Sequence, residues 1–133
     1  MANLSDDAVR ALIEQPNYAV VSSLNADGSI LSAVVWVSLE DGVLAVNSAR
    51  GRRWPANLER DSNVTLIVYP ADNPYEYVEV AGTAEGSRED ADDHINRLAK
   101  KYIGQDEYPF RQPGEDRIKY VISPARVRYQ KQG

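Results

Sequence analysis

Apolar and polar residues alternate along most of this chain, and the period of the alternation changes at a few marked places. Ala8, Val9, Leu12 and Ile13 recur at helical spacing behind Ser5-Asp6-Asp7, which predicts a capped amphipathic helix stopped by Pro16 and Asn17. The period then shortens to that of strands. Tyr18 to Leu24 and Ile30 to Leu39 flank Asn25-Ala26-Asp27-Gly28, and Asp41-Gly42 separates the second run from Val43 to Ser48, so three antiparallel strands follow one another. A short helix is expected over Pro55 to Arg60. Asn63 to Tyr69 then sets Val64, Leu66 and Val68 against Thr65, Ile67 and Tyr69, a strand covered in part on both faces. Asp72-Asn73-Pro74 turns the chain into Tyr75 to Ser87.

The longest helical pattern runs from a Ser87 cap through Glu89, Asp90, Asp92 and Asp93 to Lys100 and Lys101, with Gly104 beyond. Its charges follow the helix dipole, and Ala91, Ile95, Leu98, Ala99 and Tyr102 form one apolar stripe that packs on a sheet. Gln105 to Glu115 reads as an irregular loop, and a last strand over Arg117 to Ile122 is expected to break at Pro124 and resume near Val127 to Tyr129. About six hairpin-linked strands with helices at the margins predict a mainly β domain over residues 1–133, a small antiparallel barrel without exposed sheet edges.

Charge and composition narrow the function. The net charge of −5 disfavours nucleic acid or an anionic membrane as the main partner, and with no cysteine, thiolate chemistry and cysteine-based zinc sites are excluded. No apolar run is long enough for a membrane span and the start lacks a signal pattern, so a cytoplasmic protein is expected.

Against that acidic background, Asn47-Ser48-Ala49-Arg50-Gly51-Arg52-Arg53-Trp54-Pro55 places three arginines between a strand end and a helix start. Cations at a helix start oppose the dipole, and an anion among them relieves the conflict. Guanidinium forks, free N–H groups and the close approach that Gly51 permits make a phosphate or carboxylate pocket.

Other residues offer less chemistry. His94, the single histidine, sits among Asp90, Asp92 and Asp93, which read as a solvated helix start rather than a base or a metal site. Trp36 reads as a barrel-core aromatic, and Tyr18, Tyr69 and Tyr120 as packing residues. Tyr75 and Tyr77, two apart, are expected on one strand face. Neither a Ser-His-Asp arrangement nor a Gly-rich dinucleotide fingerprint is present, and no catalytic side chain can be named.

In the order and spacing of these pieces the chain resembles the pyridoxamine phosphate oxidase-like split β-barrel flavoproteins, and among them the small actinobacterial oxidoreductases that use the deazaflavin coenzyme F420. The resemblance runs from the first helix through Asp27-Gly28, the arginine turn, Asn57-Leu58-Glu59-Arg60-Asp61, Asn73-Pro74-Tyr75-Glu76-Tyr77 and His94-Ile95 to Lys101-Tyr102. It implies a split barrel that forms a homodimer with two sites at the interface. The arginine turn, Arg50 included, would hold the cofactor phosphate, with Arg52 and Arg53 gripping it, Asn47 and Ser48 adding hydrogen bonds and Asn57 steadying the turn. Leu31, Ser32 and Val34 would border the ring, while Tyr75 and Tyr77 reach in from the other subunit. Trp54 stands where many relatives carry lysine; it would stack on a ring or cover the pocket. The activity implied is hydride transfer from reduced F420 to a small conjugated or cyclic acceptor. FMN is the alternative cofactor, and a non-catalytic cofactor-binding protein the alternative role.

Overall fold

In a computed structural model describing residues 2–132, Met1 and Gly133 lie outside the described residues, and with them the two ends of the domain expected over 1–133. Helix α1 (Asp7–Glu14) precedes strands β1 (Ala19–Leu24), β2 (Ile30–Val35), β3 (Val37–Glu40) and β4 (Val43–Ala49). Helix α2 (Arg53–Arg60), strands β5 (Asn63–Val68) and β6 (Glu76–Ser87), helix α3 (Ala91–Ile103) and strand β7 (Arg117–Lys131) complete the chain.

The seven strands form one antiparallel sheet in the order β2-β1-β5-β6-β7-β4-β3. Strands β2 and β3 stand at opposite edges, yet one residue, Trp36, joins them. Consecutive Cα atoms are about 3.8 Å apart, so the sheet must roll until its edges meet at Trp36. This is the split barrel, with seven strands where about six were expected. The extra one arises because the single strand expected over Ile30 to Leu39 breaks: the Val37 N–H donates to the Tyr102 hydroxyl (3.1 Å) and the Val37 carbonyl accepts from Lys101 Nζ (2.6 Å). Side chains of α3 thus satisfy backbone groups that a continuous strand would have paired.

Alternate residues fill the interior. Ala19 and Val21 of β1, Val64, Leu66 and Val68 of β5, and Val78 and Val80 of β6 are buried at period two. Val9, Leu12 and Ile13 of α1 close the core at the end where β3 and β6 pass.

Three local expectations change. Strand β7 does not break at Pro124; the register against β6 shifts between Ala81 and Gly82, and a Cβ on Gly82 would stand 2.0 Å from the Ser123 carbonyl oxygen. A bulge absorbs the proline. Helix α3 starts at Ala91 rather than at Ser87, because Ser87 Oγ accepts the Glu89 N–H in a turn that ends with Asp90 at φ +64°. Pro55 is the third helical residue of α2, still among the first-turn positions whose N–H has no helical partner.

Candidate functional site

β4 delivers the chain to the arginine turn, where Gly51 (φ +96°) reverses the backbone and Arg52 becomes the N-cap of α2 with no side-chain cap. Arg50 reaches Asp116 at 3.5 Å and Glu59 at 4.0 Å, and Arg52 reaches Glu115 at 3.4 Å. The Arg50 pairs are exposed at both ends and contribute only about 0–1 kcal/mol, so an incoming anion can exchange with them; Arg52, half exposed, reaches a buried Glu115 oxygen that the nearer Arg117 also occupies at 2.9 Å. Arg53 is exposed and makes no hydrogen bond or ion pair among the described residues. The turn therefore offers one open guanidinium, two that carboxylates hold loosely, and the first-turn N–H groups of α2.

Asn57 fastens this turn to the barrel. Its amide donates to Ser23 Oγ (3.1 Å) and Asn25 Oδ1 (3.0 Å), and its oxygen accepts from Arg60, so α2 is tied to the end of β1 and the hairpin after it. Trp54 packs in the core against Tyr120, with ring centroids 5.6 Å apart, and lines the neighbouring cavity as well.

Asn47 faces away from the barrel interior and is fully engaged. Its amide nitrogen donates to the Ala91 carbonyl (2.9 Å) and to His94 Nδ1 (3.0 Å), while Oδ1 accepts from Nε (3.0 Å) and Nη2 (2.8 Å) of Arg117. A guanidinium only donates, so Oδ1 must face Arg117 and the amide must face the histidine. His94 is then neutral, with Nδ1 accepting and Nε2–H donating to Ser38 Oγ at 2.8 Å. The expectation of a solvated His94 was wrong for a plain reason: its side of α3 lies on β4, and the residue has no exposed surface.

Burial, reinforced by the Lys119 charge, pushes the His94 pKa down from 6.5 to about 4. A depressed base stabilises the fold above its unfolded pKa, and that stability is lost as pH falls from 6.5 towards 4. The cost of charging it amounts to roughly 3 kcal/mol. Urea unfolding at pH 7 and pH 5 is expected to show about 2 kcal/mol of this loss, the rest falling below pH 5, and His94→Gln to flatten it.

Arg117, 4 % exposed, was missed as a site residue. Its Nη1 also donates to Glu115 Oε1 at 2.9 Å, and its guanidinium lies 5.0 Å from the Tyr108 ring centroid. Arg117 and Asn47 line a cavity of about 190 Å³ with Arg52, Trp54, Trp36 and Tyr108. Trp36 is half-buried and points away from the core, between buried Val35 and Val37, so it is not a barrel-core aromatic. It stacks on Tyr102 at 5.3 Å and meets Tyr108 edge-on at 6.0 Å. Tyr108 and Phe110 bring the loop before β7 to the same cavity.

The remaining candidates divide. Ser32 and Val34 point outward on β2, Val34 being 70 % exposed, whereas Leu31 points the other way and packs against the core, so the three side chains do not share a face. Ser48 lies inside the barrel with its hydroxyl buried and without a partner among the described residues. Tyr75 precedes β6 and is 65 % exposed; Tyr77 is half-buried, with Arg128 5.8 Å from its ring centroid. Ala49 pairs with Arg117 at one end of β7 and Tyr77 with Gln130 near the other. The tyrosines and the arginine turn of one chain thus border opposite ends of β7. Tyr18, though 49 % exposed, packs by stacking on Tyr102 at 5.6 Å, Tyr120 is buried, and Tyr69 (36 % exposed) stays at the surface.

Among the described residues no group of three or more His, Cys, Asp or Glu side chains converges to hold a metal ion, and no helix is long and apolar enough to cross a membrane. Three solved structures share the fold at low identity. An F420 reductase is 24 % identical with a TM-score of 0.77, over 90 % of this chain and 94 % of that one. A conserved hypothetical protein of Mycobacterium tuberculosis is 18 % identical with a TM-score of 0.76, over 96 % and 84 %. General stress protein 26 of Bacillus anthracis is 21 % identical with a TM-score of 0.70, over 93 % and 92 %. No curated protein matches the sequence. The model of the pyridoxamine 5'-phosphate oxidase family matches residues 5–131, nearly the whole chain, and with the rolled antiparallel sheet it establishes that the protein belongs to that family.

Proposed function

We propose that this protein is an oxidoreductase that binds reduced coenzyme F420 through the arginine turn and passes a hydride to a small conjugated or cyclic acceptor. The observation that carries the reading is the turn itself: an Arg53 without a partner among the described residues, beside Arg50 and Arg52, at a helix start, next to a cavity walled by aromatic rings. Such residues fit a phosphate-bearing cofactor with a planar ring. The bound cofactor would supply the hydride chemistry, and the protein would supply orientation, electrostatics and exclusion of water. Membership of an oxidase family and likeness in fold to an F420 reductase support this reading. FMN is the second reading, since guanidiniums do not distinguish one ribityl phosphate from another.

Consumption of reduced F420 with a panel of enones and quinones tests the proposal. Turnover supports it. A yellow protein that turns over only with reduced FMN moves the assignment to FMN, and tight binding without turnover makes the protein a cofactor carrier.

The site is completed, on this account, by a second copy. Ile30 (71 % exposed) and Val34 stand on the outer face of the sheet, and Tyr77 of β6 pairs near one end of β7 while the strand that leads into the arginine turn pairs at the other. Sedimentation at micromolar concentration is expected to show a homodimer, with an interface above about 2,000 Å². Mixed Tyr77→Ala and Arg52→Ala proteins are expected to exceed the mean activity of the two once subunits exchange. Activity at that mean despite exchange would place Tyr77 outside the partner's site.

A further inference from the structure

We propose that Trp36, Tyr102 and Tyr18 form an electron relay that carries an oxidising equivalent from the cavity beside the arginine turn to the protein surface. The relay belongs to this chain alone; only the identity of its oxidant, a photoexcited flavin-type ring, rests on the cofactor reading.

Geometry gives the first argument. Trp36 lines the cavity and stacks on Tyr102 with centroids 5.3 Å apart and planes 6° from parallel. Tyr102 stacks in turn on Tyr18 at 5.6 Å and 23°. Three electron-rich rings form an unbroken column, and transfer between rings in contact needs no further bridge. The middle ring also fixes its neighbours. The Tyr102 hydroxyl donates to the Asn17 carbonyl and accepts from the Val37 N–H, so the residue before Tyr18 and the residue after Trp36 are tied to one oxygen atom.

The two tyrosines differ in where a proton can go, and this gives the direction. A phenol keeps a hole, the place of a missing electron, only once its proton has left. The Tyr102 proton faces carbonyl oxygens, which are poor bases, and burial pushes its pKa up to about 12. Lys101 Nζ, 4.9 Å from the Tyr102 ring centroid, opposes a positive hole there by its own charge. Tyr102 therefore passes the hole on, and Tyr18, 49 % exposed, gives its proton to water. The other ring beside Trp36 leads nowhere. Tyr108 meets Trp36 edge-on at 6.0 Å, has the Arg117 cation 5.0 Å from its centroid, and is followed by Phe110, whose ring resists oxidation.

Each hop moves one electron inward. The oxidant takes an electron from Trp36, Trp36 recovers it from Tyr102, and Tyr102 from Tyr18. The net change is an oxidant reduced by one electron, Tyr18 converted to a neutral tyrosyl radical, and one proton released to water. A thiol or ascorbate in solution restores Tyr18 by giving up a hydrogen atom.

Pulse radiolysis tests the relay without any cofactor, because azide radicals oxidise tryptophan at neutral pH and the chain has two, Trp36 and Trp54. Trp54 lies 5.6 Å from Tyr120 and would feed a tyrosine of its own, so the measurement is made in Trp54→Phe, checked for folding by its melting curve. The tryptophanyl absorption is expected to decay as the tyrosyl absorption grows, at a rate independent of protein concentration. Added to that background, Tyr18→Phe is expected to cut the tyrosyl yield at least fivefold and Tyr102→Phe to slow the transfer at least tenfold, while Tyr108→Phe changes neither. If F420 and FMN fail to bind but these results hold, the cofactor reading falls and the relay stands. A rate that rises with protein concentration, a Tyr18→Phe yield equal to its parent's, or loss of transfer in Tyr108→Phe overturns the proposal. If Trp54→Phe does not fold, Tyr18→Phe is compared with the wild type, in which half-buried Trp36 is more open to azide radicals than Trp54 at 7 % exposure, and an equal tyrosyl yield there overturns the relay as well.

Discussion

Asn47→Ala is expected to destabilise the fold by about 1.5–3 kcal/mol, the scale for removing the hydrogen-bond partner of a buried charged group whose ion pair with Glu115 stays in place. The substitution removes the acceptor of two Arg117 hydrogen bonds and the donor to His94 Nδ1 and the Ala91 carbonyl. Urea unfolding measures it, as a fall in midpoint with little change in slope. Asn47→Asp separates the two halves of the network. The new carboxylate still accepts from Arg117, but its other oxygen faces His94 Nδ1, which lacks a proton, so the His94 pKa is expected to rise. A stability loss below about 1 kcal/mol for Asn47→Ala would mean that the Arg117 guanidinium finds water, and the site would be wetter than its burial indicates.

Arg53→Ala is expected to weaken cofactor binding by about 10- to 100-fold, the loss of one charge-assisted hydrogen bond at about 1.5–3 kcal/mol. Its side chain is exposed and has no partner among the described residues, so stability is expected to change little. Arg52→Ala should cost less than Arg53→Ala, because Arg52 must leave Glu115 to reach a ligand. A titration at moderate ionic strength in which Arg53→Ala binds like the wild type would remove Arg53 from the phosphate site.

Local turn chemistry made part of this molecule legible. Asp27-Gly28 and Asp41-Gly42 mark hairpins whose glycines adopt φ +86° and +78°, and Gly104 ends α3 at φ +70°. The arginine turn was visible because cations at a helix start need an explanation in place. What could not be read depends on partners distant in sequence. The break at Trp36 needs Lys101 and Tyr102 to take the Val37 backbone, and Trp36 leaves the core because α3 and its following loop bring rings to meet it. His94 looked solvated among three aspartates, yet its helix face lies on β4. Arg117 gave one faint signal. It alternates with Ile118 on a strand, and a strand covered by a helix on its outer face buries both residues. Ser48 remains a buried hydroxyl for which the packing offers no physical account.

The most direct test of the central claim, that the arginine turn holds a phosphate-bearing flavin or deazaflavin, is calorimetric titration of the ligand-free protein with F420 and with FMN, repeated on Arg53→Ala. The account predicts one site per subunit for at least one of the two, an affinity that falls as salt is raised, and a loss of about tenfold or more in the variant. No binding of either cofactor, or binding that Arg53→Ala leaves untouched, would contradict it.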